Sequence, residues 1–363
     1  MATPRRPLHA TVNGQLVNRA VRHAIALNRY GSTLTRTVVG FLNGEVFPDL
    51  IERLRSRLEK IRMRGFDSGV ETTSRYARLI EDMAAIVDNG TAESNRIVAQ
   101  AARAVAKVEA TWQHAAVVEA VPRVVAVRLG SGPDLRMVQA VVNRPIRGAV
   151  LSDWWDGIGQ RLQQGVRTQV GIGLAQGEPV DAIVRRISGT RANNYSDGVL
   201  QVTRRQGEAI ARTMVNHAST QAREETFKGM ADVVKGVEWV STLDTRTSDI
   251  CKGLDGQVFD VGEGPRPPAH WNCRSTVVPV TKSLREILGS EAADEEPSTR
   301  ASMDGQVAET LTYQDWLAQQ PAETQNEALG IGRARLFRAG QIDVADLTKP
   351  NGRTRTLEEL AGS

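Results

Sequence analysis

The chain has 363 residues, 40% hydrophobic but only 4% aromatic, with 46 basic and 42 acidic side chains and a net charge of +4. This excludes a collagen, a mucin and a wholly disordered chain, and it suggests two or three domains with cores of Val, Leu, Ile and Ala. No run approaches the ~20 apolar residues of a bilayer span, and no apolar segment follows Arg5 and Arg6, so neither a membrane partner nor a secretory signal is expected.

Residues 1–14, with Pro4, Pro7 and Gly14, read as a loose arm. From Leu16 to Val142 the pattern is mostly helical. Leu50, Leu54, Leu58 and Ile61 recur at spacings of four, four and three, which places them on one helix face. Arg53, Arg57, Lys60 and Arg64 follow the same period on the neighbouring face, where only Glu52 and Glu59 oppose the basic residues. The stripe is either a solvated amphipathic face or a contact surface for DNA or an acidic partner. The stretch 92–120 is Ala/Val-rich and helical, and Pro122 should end or kink that helix. Helices are predicted over Trp154–Gly177, Val180–Ile187 and Thr203–Phe227, with a polar loop from Thr190 to Gly198.

The character changes at Gly236. Val237–Leu243 alternates as a strand does, and Asp244–Pro279 is dense in turn residues. Ser290–Asp304 is acidic and reads as a linker. Thr312 with Asp315 forms a capping-box pattern, and Gly330 and Gly340 read as helix stops. The expected organisation is a helical region 1–143, a helical connecting region 144–235, an α+β Cys/His module 236–289, a linker 290–311 and a helical tail 312–363. The fold class is thus a mainly α N-terminal half, a small α+β module stapled by Cys and His, and a helical C-terminal tail.

The two cysteines, Cys251 and Cys273, bracket His270. His270 and Cys273 are three residues apart, so one turn can aim both at one point, and Cys251 can return there after Leu254-Asp255-Gly256. Two thiolates and an imidazole are ligands that Zn²⁺ favours, with Asp244, Asp249 or a water as fourth ligand. Buried apolar cysteines, a disulfide, or a His270 bonded to backbone are the competing readings. Arg274 can pair with Asp244 or Asp255 and lock their loops, or it can face solvent.

The run Asp244-Thr-Arg-Thr-Ser, Cys251, Leu254-Asp255-Gly256, Pro267-Pro268-Ala-His270 and Asn272-Cys273-Arg274-Ser275 resembles the head morphogenesis family of tailed bacteriophages, minor head proteins like protein F of phage Mu. Gly165–Ile187, Ala211-Arg212-Thr213 and the tail from Tyr313 through Leu329-Gly330 to Phe337 are similar to that family too. Where the family continues with an acidic residue, this chain has Met214. The resemblance covers roughly 145–347. It implies a minor capsid component associated with the portal, acting in head assembly and in some members in DNA delivery. The implied partners are the portal protein, the major capsid protein and packaged DNA. The implied location is the virion, after assembly in the host bacterial cytoplasm, where reducing conditions oppose a lasting disulfide.

An enzyme would need more. No GxSxG, HExxH or P-loop GKS/T is present, and Gly171-Ile-Gly173 is a glycine pair explained by packing rather than a dinucleotide fingerprint. The alternative to an assembly protein is a zinc-dependent or Cys/His hydrolase acting on nucleic acid or protein, with Cys251 or Cys273 beside His270, or a metal-bound water with Asp249 or Asp255 as base. The chain is expected not to be an enzyme.

Overall fold

A computed structural model describes residues 12–63, 70–129, 132, 140–288, 299–303, 305–308, 311–349 and 353–362. The mainly helical character, the small antiparallel sheet and the helical C-terminal region expected from the sequence are all present. Contacts divide the chain into two units, each assembled from separate stretches. One comprises 30–104 and 142–215, the other 1–29, 105–141 and 216–363.

The helices are α1 (Val12–Phe41), α2 (Phe47–Met63), α3 (Val70–Ala120), α4 (Arg123–Ala126), α5 (Leu151–Ala175), α6 (Val180–Ser188) and α7 (Val199–Lys228). Helix α3 stops before Pro122, whose missing N–H and fixed φ forbid a continued helix. In the first unit the Leu50, Leu54, Leu58 and Ile61 face of α2 is buried, as its period requires, and α2 packs against α6. Arg55 bonds Asp181 on α6, and Arg57 reaches Asp82 on α3 at 2.6 Å. Gly173 permits the close approach of α5 and α6: a Cβ there would meet Ile183 at 2.3 Å. Of the Gly171-Ile-Gly173 pair, Gly173 is thus required by helix packing, whereas a Cβ at Gly171 would meet only Tyr76 at an ordinary 3.7 Å.

The second unit is built on a three-stranded antiparallel sheet in the order β2–β1–β3, from β1 (Val234–Val240), β2 (Val258–Asp260) and β3 (Thr276–Thr281). The register sets Val237 opposite Phe259 on one side and Pro279 on the other, and Trp239 opposite Val277. Pro279 fits because β3 is an edge strand. Both faces of the sheet are covered, so β1 is buried almost throughout instead of alternating. One face joins Leu16, Val117, Val121, Phe227, Val237, Trp239, Val277 and both cysteines in a single core. The other carries Val240 and Val278 against Val17 and Ala20 of α1.

Helix α8 (Asp249–Leu254) links β1 to β2, and α9 (Leu284–Leu288) follows β3. Inside the stretch expected to be a linker, β4 (Thr299–Ser302) and β5 (Gly305–Ala308) form a hairpin. The acidic run before it masked a short pairing that Gly305 closes. The C-terminal helices α10 (Tyr313–Ala318), α11 (Ala322–Leu329), α12 (Ile331–Arg338) and α13 (Leu357–Ala361) share a core with Leu243, in the chain leaving β1. The Thr312–Asp315 capping box is formed, and Gly330 and Gly340 take φ values of 80° and 67° at helix ends, where a Cβ would be strained.

A buried ion pair ties this unit together. Glu109 of α3 accepts from Arg223 of α7 at 2.6 Å, from His23 of α1 at 2.5 Å and from Gln113 at 2.7 Å. Arg223 also donates to Thr276 and to the Val277 carbonyl of β3. Burial alone would raise the Glu109 pKa, but the Arg223 charge and the His23 and Gln113 bonds override it and hold it at about 2. Since this lies below its ordinary 4.5, Glu109 stabilises the fold fully above that value, and the contribution drains away as pH falls toward about 2. Glu109→Gln should flatten the acid limb of the stability–pH curve. Arg223→Met should cost about 3–5 kcal/mol, because it strands a buried carboxylate. Urea midpoints measured across pH check both.

Candidate metal centre

Three short elements converge on one point. Ser248 caps α8, its hydroxyl accepting from the Cys251 N–H, and this fixes Cys251 in the first turn. The Pro-rich return carries a cis Pro267–Pro268 bond, and Asn272 turns at φ 60° to deliver His270 and Cys273. The ligand atoms of Cys251, His270 and Cys273 all lie within 4.8 Å of one another and could hold a metal ion. Cys251 Sγ is 3.7 Å from Cys273 Sγ and 3.3 Å from His270 Nε2. Tetrahedral ligation at ~2.3 Å for sulfur and ~2.0 Å for nitrogen requires separations of roughly 3.8 and 3.5 Å. Both separations are close to those of a tetrahedral ion.

The imidazole is also oriented for ligation. Its Nδ1 lies 2.9 Å from the Trp271 carbonyl, a contact that only an N–H can make, which leaves Nε2 as the ring atom facing Cys251 Sγ. Both cysteines are buried and free of disulfide. The Cys273 thiol is pushed well below its ordinary value by the hydrogen bond from Cys251, with His270 alongside. The same bond, with burial, pushes Cys251 up. A divalent ion would remove this asymmetry by taking both as thiolates.

Asp244, a candidate fourth ligand, does not join the group. Its two oxygens accept both arms of Arg274, at 2.6 and 2.8 Å, and Oδ1 also accepts from Thr247 and the Arg246 N–H. Burial opposes its ionisation, and the Arg274 bonds override that and lower its pKa. Asp249 is bound by Lys252 at 2.9 Å and Arg333 at 3.0 Å. Asp255 accepts the N–H groups of Ser241 and Tyr313. All three carboxylates named from the sequence therefore hold neighbouring segments. The arginine lock forms with Asp244, and Asp255 instead ties the β1 exit to α10.

Two contributors escaped the sequence reading. Asn216 of α7 donates one amide to the carbonyls of Cys273, at 2.8 Å, and Ser275, at 3.1 Å, pinning the ligand strand. Lys252, buried beside Cys251, donates to the Ala328 carbonyl at 2.6 Å and stands over the Tyr313 ring. A lone Asn in a helix and a Lys in a turn carry no sequence signal for either role.

In the other unit, Arg53 and Lys60 of α2 are exposed and have no carboxylate partner among the described residues. Arg57 of the same stripe is engaged with Asp82, and Arg64 lies outside the described residues. Arg62 of α2 is exposed, as are Arg185 of α6 and Arg191 just beyond it.

Residues 164–278 match the family model described as Phage Mu protein F like protein. That stretch contains Asn216, Asp244, Cys251, His270, Cys273 and Arg274. No curated protein and no solved structure matches the chain. Asn216→Leu should free two carbonyls beside the ligand strand at a cost of about 1–3 kcal/mol. Chemical denaturation would read that cost, and faster thiol labelling of Cys273 would report the loosened strand.

Proposed function

We propose that this chain is a minor head protein of a tailed bacteriophage. It docks between the portal protein and the major capsid protein during head morphogenesis, it is assembled in the host cytoplasm and retained in the virion, and it catalyses no reaction. The single observation that carries this reading is the family match at 164–278, which falls on the Cys/His module and the helices leading into it. Among the described residues no helix is long and apolar enough to cross a membrane, in keeping with a virion component of this kind.

The module's part is mechanical. Zn²⁺ suits the Cys251, His270 and Cys273 set, and it would supply a rigid staple to a turn-rich loop that has little core of its own. Against catalysis stands the state of the nearby carboxylates. Asp244, Asp249 and Asp255 are each committed to cations or backbone N–H groups, and a hydrolase that uses a metal-bound water would need one of them as base.

Purified protein should contain close to one zinc per chain. A strong chelator should lower its thermal midpoint, and Cys273→Ser should lose the metal. A metal-free preparation with an unchanged midpoint would remove zinc from the account. The assembly role is tested by a cryo-EM map of assembled heads, where density for this chain beside the portal is expected. Turnover that Cys273→Ser abolishes without loss of fold would reverse the reading.

DNA contact is a second activity, favoured by the exposed Arg53 and Lys60, which have no carboxylate partner among the described residues. Replacing Arg53, Lys60 and Arg62 with Gln should lower the salt slope of duplex binding by roughly 2–3, with no change in sequence preference. Absence of binding by the parent chain at low salt would end this idea.

A further inference from the structure

In the unit that holds the cysteines, a cavity of about 200 Å³ opens between α1, the chain leaving β1, and the β4–β5 turn. Its walls are mainly apolar, with Val21 and Ile25 from α1, Leu243 after β1, and Met303 at the hairpin turn. Ile25 is 45% exposed and Met303 55%, so two large apolar side chains stand wet at its mouth. The Asp244–Arg274 pair is the charged part of its polar lining, which also includes Asn28, Ser241, Thr242, Thr276 and Ser302.

Size limits the occupant. Drug-sized ligands and cofactors fill pockets of roughly 300–1,000 Å³, whereas a cavity of ~150 Å³ already holds a benzene ring. About 200 Å³ therefore matches one aromatic or large aliphatic side chain. Charge limits it further. Asp244 is bound by Arg274 and also lies 3.8 Å from Arg246, whose side chain is 81% exposed. Two guanidinium groups share one carboxylate, which leaves positive charge at the edge of an apolar hole. A phosphate backbone would use that charge but not the hole.

We infer that this cavity is a docking socket for a segment of a partner protein in which one aromatic or large aliphatic side chain is flanked by carboxylates. The side chain fills the space between Ile25 and Met303, and a flanking carboxylate meets Arg246 and the outer edge of Arg274. Methionine at the rim suits adaptable packing, and one buried anchor with a polar surround is the pattern that concentrates binding energy. The inference rests on the assembly reading only for which protein carries the segment.

The test uses the full chain with methyl-labelled Ile and Met, titrated with acetyl-Glu-Phe-Glu-amide, acetyl-Lys-Phe-Lys-amide and acetyl-Glu-Ser-Glu-amide. The Ile25 and Met303 methyl resonances should move with the first peptide at about tenfold lower concentration than with the other two. Arg246→Glu should weaken that response at least about threefold, and Ile25→Glu should abolish it at Met303 while leaving the thermal midpoint unchanged. Equal response to all three peptides, or movement of neither methyl, would overturn the socket. Movement with protein concentration alone would assign the cavity to a second copy and overturn the partner assignment. Normal incorporation into heads without peptide binding sinks the socket alone, whereas binding without incorporation sinks the assembly reading alone.

Discussion

Two sulfur atoms 3.7 Å apart set the terms for the sheet unit. To bring them together, the chain must leave β1, turn through α8, run along β2, return through a Pro-rich loop and enter β3 in register. Leu254, Phe259, Val261 and Ala269 on that path pack only part-buried against the core, and polar bonds supplement them. From outside the loop Asn216 grips the Cys273 strand, and within it Asp255 grips the β1 exit and Arg274 grips Asp244. Each of these replaces water on a buried polar group, and each would be costly to leave unpaired.

The same logic extends into the helices. Glu109 and Arg223 are almost wholly buried, an arrangement that contributes little net stability compared with apolar residues but penalises any misplacement heavily. Arg223 ends on Thr276, three residues beyond Cys273. The ion pair thus fixes the position of β3 relative to α3 and α7, while Asn216, two helical turns before Arg223, fixes the ligand strand feeding β3. Both α7 side chains thus act on one stretch, Cys273 to Val277, where the chain enters β3.

Periodic and local signals were legible in the sequence, and long-range polar ones were not. The Leu50–Ile61 face, the stop before Pro122, the Thr312 capping box and the Cys251–His270–Cys273 meeting all rest on spacing or on residue types with narrow chemical uses. The Arg274–Asp244 lock was readable because Arg274 adjoins a ligand. By contrast, the Glu109 partners lie 86 and 114 residues away, and nothing in a helical pattern distinguishes a buried Glu from a solvated one. The fourth-ligand role considered for Asp244 failed for a related reason: spacing shows which groups can reach a point, but competition from Arg274 decides where the carboxylate goes. The β4–β5 hairpin was hidden because four-residue strands next to an acidic run carry too little alternation.

Asp244 also explains why a staple in the core matters at the surface. Its carboxylate holds Arg274, its carbonyl accepts from the Tyr313 hydroxyl at 2.9 Å, and its side chain borders the cavity beside Met303. Burial and three neighbouring carboxylates hold that Tyr313 hydroxyl protonated, so it remains a donor. The C-terminal helices, the ligand strand and the cavity therefore meet at one residue. Because Arg274 directly follows Cys273, any freedom in the sulfur site passes through a single peptide unit to the Asp244 edge. A socket that must present an apolar hole and a guanidinium in fixed relation needs that freedom removed. A metal ion bound by both cysteines and His270 would remove it with few residues.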